Sequence, residues 1–197
     1  MKKFTLLAAL MVLFCGANLS AKSFDWSKCW CNYGAGIKEG DIIVNAGGGL
    51  CYRDLSYSVY DDFKFFPPVM AEVQYAMKIW ELPFTFCGYA GMRGYSFKYI
   101  DRYDTAGKPV YEKANYFGIF FGGEATYHIQ LPPEGLDLYA TTRIGTNIPF
   151  VKSGKYWTPE YFQLGEAFGA NWFFNDTVGI NLEFGFPFSK FGVALKF

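Results

Sequence analysis

Polar and apolar residues alternate with a period of two along most of this chain, the pattern of β-strands with unlike faces. In residues 69–79, Val69, Ala71, Val73, Tyr75, Met77 and Ile79 share one face, and Met70, Glu72, Gln74, Ala76 and Lys78 the other. Residues 41–52 set Ile42, Val44, Ala46, Leu50 and Tyr52 against Asp41, Asn45, Gly47 and Gly49. A third strand sets Phe84, Phe86, Ala90 and Met92 against Thr85, Tyr89 and Arg93. Residues 115–129 set Phe117, Ile119, Phe121, Ala125, Tyr127 and Ile129 against Glu124, Thr126 and His128. In the next, Leu136, Leu138, Ala140, Ile144 and Ile148 oppose Asp137, Tyr139, Arg143 and Asn147. Residues 161–174 are the least regular, because Glu166 falls on the face of Phe162, Leu164, Phe168, Ala170 and Trp172. A bulge, or a position near a loop, would accommodate it. Val178, Ile180, Leu182, Phe184 and Phe186 then oppose Asn181 and Glu183, and the final strand sets Phe191, Val193, Leu195 and Phe197 against Gly192, Ala194 and Lys196.

The pattern therefore predicts eight strands. Connections 53–64, 100–114 and 149–160 are long; 81–83, 130–135 and 175–176 are short; residues 187–190 are read as a turn. Long and short connections alternate, as in an up-and-down barrel that crosses a membrane. The expected fold is an all-β, eight-stranded antiparallel transmembrane β-barrel with short periplasmic turns and longer outer loops. The competing fold is a soluble, lipocalin-like barrel with its apolar face inside. Residue size decides between them. Glu72, Lys78, Arg93, Glu124, Arg143 and Glu183 share the face that carries Gly and Ala, and the bulky apolar groups share the other. An eight-stranded interior holds only packed side chains or one small ligand, so the bulky face is expected outside.

Composition supports this picture. Aromatics make up 21% of the 197 residues, with 22 Gly, 22 Phe and 15 Tyr. Eighteen basic and 18 acidic residues leave zero net charge, and nothing in that balance points to a nucleic-acid partner. Met1-Lys2-Lys3, an apolar run over 4–14 and the small residues near Ala21 read as a signal peptide cut after Ala21. A buried core helix is the alternative for that run. Cleavage as a lipoprotein at Cys15 is disfavoured by the bulky Phe14 before it. The expected organisation is a signal peptide over 1–21, a periplasmic segment over 22–40 and the barrel over 41–197. Cys29, Cys31, Cys51 and Cys87 remain in the mature chain. With His128 as the sole histidine, zinc is weakly supported, and small or unpaired thiols are the simpler reading.

Aromatics cluster at strand ends: Trp80, Phe84 and Phe86, then Tyr127, then Trp172, Phe173 and Phe174. Such clusters suit a girdle at headgroup level. The period-two pattern, the Leu82-Pro83-Phe84 turn and the ending Val193-Ala194-Leu195-Lys196-Phe197 together resemble the small eight-stranded bacterial outer-membrane β-barrels. That class includes OmpX, OmpW and the barrel domain of OmpA. The resemblance implies an outer-membrane location, contact with outer-membrane lipid, and a terminal Phe197 read as a signal by the assembly machinery. It also implies either a narrow porin-like or OmpW-like pathway for small, including hydrophobic, solutes, or a non-conducting surface protein that binds host ligands through its loops.

No cofactor and no enzymatic activity are expected. His128 is the only candidate base; no Ser stands two residues away, and the residue is read as a solvated histidine at the lumen rim. The inward charges Glu72, Arg93, Glu124, Arg143 and Glu183 are read as a paired lumen network, since unpaired buried carboxylates are costly. Glu72 and Arg93 are expected to face each other across the 81–83 turn, with Glu124, Arg143 and Glu183 at a shared level. The network serves either a gated pathway or a structural plug. Loop aromatics (Tyr57, Tyr60, Phe63, Phe65, Phe66; Tyr99, Tyr103, Tyr111; Tyr156, Trp157, Tyr161) are read as ligand-binding or as an outer girdle. Pro67-Pro68 is the expected break in the wall.

Overall fold

The computed structural model describes residues 31, 37–131, 135–153 and 161–197. Eight antiparallel strands follow one another around a closed ring: β1 Ile42–Cys51, β2 Asp61–Ile79, β3 Leu82–Tyr103, β4 Pro109–Gln130, β5 Leu136–Ser153, β6 Phe162–Phe173, β7 Val178–Phe186 and β8 Phe188–Lys196. Pairing of β1 with β8, from Ile43↔Lys196 to Cys51↔Phe188, closes the ring. The signal peptide, Cys15, Cys29, most of the 22–40 segment, Tyr156 and Trp157 lie outside the described residues.

Polarity is arranged as the alternation predicts. Val73, Tyr75, Phe121, Ile144, Leu164, Phe168, Leu182, Phe184, Phe191 and Val193 are exposed on the outer face. Glu72, Gln74, Thr85, Glu124, Arg143, Asn171 and Glu183 are buried on the inner face. Glu166 does point outward and causes no bulge. It pairs with Thr142 of β5 and with Phe186, the last residue of β7, and the apolar face continues past it in Leu164 and Phe162.

The interior also holds large rings that the size argument gave to the outside. Tyr89, Tyr95, Phe97, Tyr116, Phe120, Tyr139, Phe173 and Phe188 are all buried. Glycine makes room for several of them. A Cβ on Gly169 would collide with the ring of Tyr139, one on Gly145 with the Tyr89 hydroxyl, and one on Gly91 with the ring of Phe120. Phe173 thus faces inward, not into an aromatic girdle as expected, and joins Ile37, Ile43, Ala76 and Ala194 in an apolar cluster.

Turns and strand lengths depart from expectation where polar residues blur the alternation. The β2–β3 turn centres on Trp80 and Glu81, both at positive φ (51° and 66°), and Leu82-Pro83 already belongs to β3. Residues 100–114 do not form an open loop. Strands β3 and β4 continue to Tyr103 and from Pro109, joined by a turn in which Asp104 Oδ1 accepts from the N–H groups of Ala106 (2.9 Å) and Lys108 (2.8 Å). The wall is therefore tall along β2–β5 and low along β6–β8. After β1 the chain forms a single-turn helix, α1, Tyr52–Leu55, then a 3-10 turn, Ser56–Val59, before β2 begins.

Candidate functional site

Among the described residues, charge buried away from water is concentrated in the lumen, and the strand register assembles it in tiers. Glu124 of β4 and Arg143 of β5 are direct cross-strand partners, with Arg143 Nε 3.0 Å from Glu124 Oε1. Arg143 Nη2 reaches across to Glu183 Oε1 at 2.6 Å. These three residues meet as the sequence pattern indicates.

Glu72 and Arg93 do not meet. The Trp80–Glu81 turn sets Glu72 opposite Tyr89, not opposite Arg93. Arg93 lies four residues further along the strand, which at about 3.3 Å per residue is a tier apart. Glu72 instead ion-pairs with Lys190, and its other oxygen accepts from Asn45 Nδ2 (3.2 Å) and Gln74 Nε2 (3.4 Å). Lys190 also lies 3.4 Å from Glu183. Lys190 is thus a strand residue and not part of a 187–190 turn. β8 begins at Phe188, and the inward alternation of Phe188, Lys190 and Ala194 was the available signal.

Arg93 finds its partner outside the strands. Its Nη1 donates to Asp54 Oδ1 of α1 at 2.6 Å and to Cys51 Sγ at 3.0 Å. The guanidinium also lies over the rings of Tyr116 (5.3 Å) and Phe188 (5.9 Å). Asp54 escaped detection because a single helical turn leaves no periodic trace. Burial outweighs Arg93 and pushes the Asp54 carboxyl up from 3.8 to about 6.

Nearer the short turns a third tier surrounds His128, which is fully buried and not solvated. Its Nδ1 donates to the Asp137 carboxylate (2.9 and 3.0 Å), and its Nε2 is hydrogen-bonded to Thr85 Oγ1 at 3.0 Å. A Thr–His–Asp series resembles a hydrolytic triad in order. All three side chains here are at or near zero exposure, so no substrate reaches Thr85 in this conformation. The tier continues instead into a closed circuit. Asn171 donates to Asp137 (3.1 Å), Asn181 to Asn171 (2.7 Å) and to Tyr139 Oη (2.8 Å), and Tyr139 to Glu183 (3.1 Å). From Glu183 the path runs through Lys190 and Glu72 to Gln74, then Thr85 (3.1 Å), and back to His128. Side chains of seven strands thus join in one loop across the lumen.

The ligand atoms of Glu72, Cys87 and Glu124 lie within 4.8 Å of one another. Their carboxylates are already engaged by Lys190, Asn45 and Gln74 on one side and by Arg143 on the other, as expected of an ion-pair tier. Cys51 and Cys87 are buried free thiols on the inner face, and Cys31 is exposed. Phe197 exchanges backbone hydrogen bonds with Ile42 (2.9 and 3.0 Å), at the closing seam.

No family model, curated protein or solved structure matches this chain.

Proposed function

We propose that this chain is an outer-membrane β-barrel protein of the OmpX/OmpW kind, with a narrow lumen that is closed at rest and gated by its charge network. The observation that carries the reading is the inverted polarity of the ring. Large apolar side chains cover its outside while Glu72, Glu124, Arg143, Glu183 and Lys190 are sealed inside. Water would leave that outer face unburied, whereas hydrocarbon accepts it, and a closed ring leaves no unpaired strand edge in lipid. Trp80, Trp172 and Phe174, exposed at the short-turn end, suit the headgroup level. No helix among the described residues is long and apolar enough to cross a membrane, so strands carry the proposed span.

A pathway for small hydrophobic solutes gains support from the wall at Pro67-Pro68. Pairing of β1 with β2 stops at Gly48↔Val69, and the β2–β3 register shifts between Phe66 and Val69. Above that level β2 has no β1 partner, so the backbone ladder of the wall is broken there. Planar-bilayer recording of the refolded chain tests the pathway. Brief openings that lengthen in Glu72→Gln or Lys190→Met support gating by the ion pair. Silence in the parent and both variants removes conduction and favours the second reading.

That second reading is a non-conducting surface protein. The tall β2–β5 wall favours it, since the β3–β4 hairpin extends past its neighbours and exposes Tyr103 and Tyr111.

A further inference from the structure

The connection between β1 and β2 folds into the barrel instead of away from it. Asp54 is fully buried, and its Oδ1 accepts from Arg93. Two rings of the 3-10 turn region lie on the inner wall of β3. Tyr57 stacks on Tyr95 and Phe97 with centroids 4.9 Å apart in each case, and Tyr60 stacks on Phe97 at 4.8 Å. The root of the segment is pinned: Tyr52 N–H donates to Pro187 O at 3.0 Å, and the Tyr52 and Ser189 hydroxyls are 2.9 Å apart. Beyond that root no ladder holds it, because β1 and β2 have parted below. The segment between Cys51 and Asp61 is thus a strap tied at both ends and held inward by the Asp54–Arg93 ion pair and by the rings of Tyr57 and Tyr60. Beneath it sit Cys51 and Arg93, both shielded from solvent.

We propose that residues 52–60 form a movable plug of the mouth, latched by Asp54 on Arg93. Seated, it covers the packed apolar cluster of Cys51, Met70, Tyr89, Phe120 and Phe188. Released, it exposes that cluster while the ion-pair tier below stays shut. The plug would gate access to the lumen and so rests on the pathway reading, but its movement is measurable without conduction.

Cys51 is the natural reporter. In full-length protein folded in detergent, with Cys15, Cys29 and Cys31 replaced by serine, a charged maleimide should label Cys51 slowly. Peptide mass mapping separates Cys51 from Cys87. Asp54→Arg places like charges together and should raise Cys51 labelling about tenfold or more, since labelling follows local opening. Asp54→Arg with Arg93→Asp should restore protection. Equal labelling of the parent and Asp54→Arg would overturn the latch. Should the swapped protein not fold, a Tyr57→Cys/Tyr95→Cys disulfide in the Asp54→Arg background decides. Protection regained on cross-linking supports the plug, and a cross-linked protein whose Cys51 still reacts refutes it. A silent bilayer recording alongside a tenfold labelling change would remove the pathway and keep the plug.

Discussion

Lys190 of β8 ion-pairs with Glu72 of β2 across the lumen, although β1 lies between their strands in the ring. The contact joins residues 118 positions apart and ties the last strand of the chain to the second. It stands beside the Arg143–Glu183 pair, so one cation from each of β5 and β8 neutralises Glu183.

Removing one partner of a buried pair strands the other charge. Lys190→Met should therefore cost roughly 3–5 kcal/mol, read as a lower urea midpoint of the detergent-folded protein. Glu72→Gln added to Lys190→Met should recover part of that loss, because the stranded carboxylate is gone. A midpoint unmoved by Lys190→Met would show that the pair contributes nothing net.

Gly169 lies under the ring of Tyr139, which is itself held by Asn181 and Glu183. Gly169→Ala should destabilise by roughly 1–3 kcal/mol through overpacking. Tyr139→Leu in the same chain should make the added methyl nearly silent. If Gly169→Ala is harmless alone, the ring does not sit where the packing places it.

Acidification should tighten the plug, because the neutral Asp54 carboxyl still accepts from Arg93 through its carbonyl oxygen while the cost of burying its charge is gone. The Asp54 carboxyl rises from 3.8 to about 6 on burial, so the seated state binds the proton more tightly than the released state. The groups around it are Arg93, Cys51 and Arg53, with Tyr57, Tyr95 and Tyr116 beyond. Between those two pH values the seated state holds more protons, so its stability falls as pH rises through that window. Cys51 protection should be greatest near pH 4 and lowest above pH 6. A pyridyl disulfide, whose activated leaving group lets it react in acid, gives the measurement when each rate is divided by that of the unfolded chain at the same pH, since the thiolate is the nucleophile. Loosening on acidification would reverse the sign and overturn the account.

Strand order, faces and the Glu124–Arg143–Glu183 cluster were legible because period-two alternation survives wherever one face is apolar. Legibility failed where local chemistry mimicked something else. Pro187 looked like a turn and hid Lys190. Asp101, Arg102, Asp104 and Lys108 looked like a loop, though backbone pairing, with the Tyr99 hydroxyl donating to Glu112 (2.8 Å), extends β3 and β4 beyond the apolar belt. A turn at 81–83 sets Arg93 opposite Glu72, and the actual turn centre at Trp80–Glu81 separates them. His128 looked solvated because its partners Asp137 and Thr85 lie on flanking strands, which single-strand alternation cannot bring together.

Phe197 joins Ile42 through two backbone hydrogen bonds and exposes its ring on the outer face. Its deletion removes both closing bonds as well as the aromatic end. Assembly into the outer membrane should fall sharply while export across the inner membrane is unchanged, as cell fractionation with surface proteolysis would show. Normal surface accessibility of the truncated protein would mean that the terminal residue is dispensable.

The central claim is that the apolar outer face meets lipid. Fluorophores attached singly at Val73, Leu182 and, as the inward control, Gln74 can be read after refolding into vesicles of lipid brominated at mid-chain. Val73 and Leu182 are exposed outside, and Gln74 is buried inside. Strong quenching at Val73 and Leu182, with little at Gln74 and no response of the outer pair to aqueous iodide, is the predicted result. Iodide quenching of Val73 and Leu182 without quenching by brominated lipid would place that face in water and contradict the account.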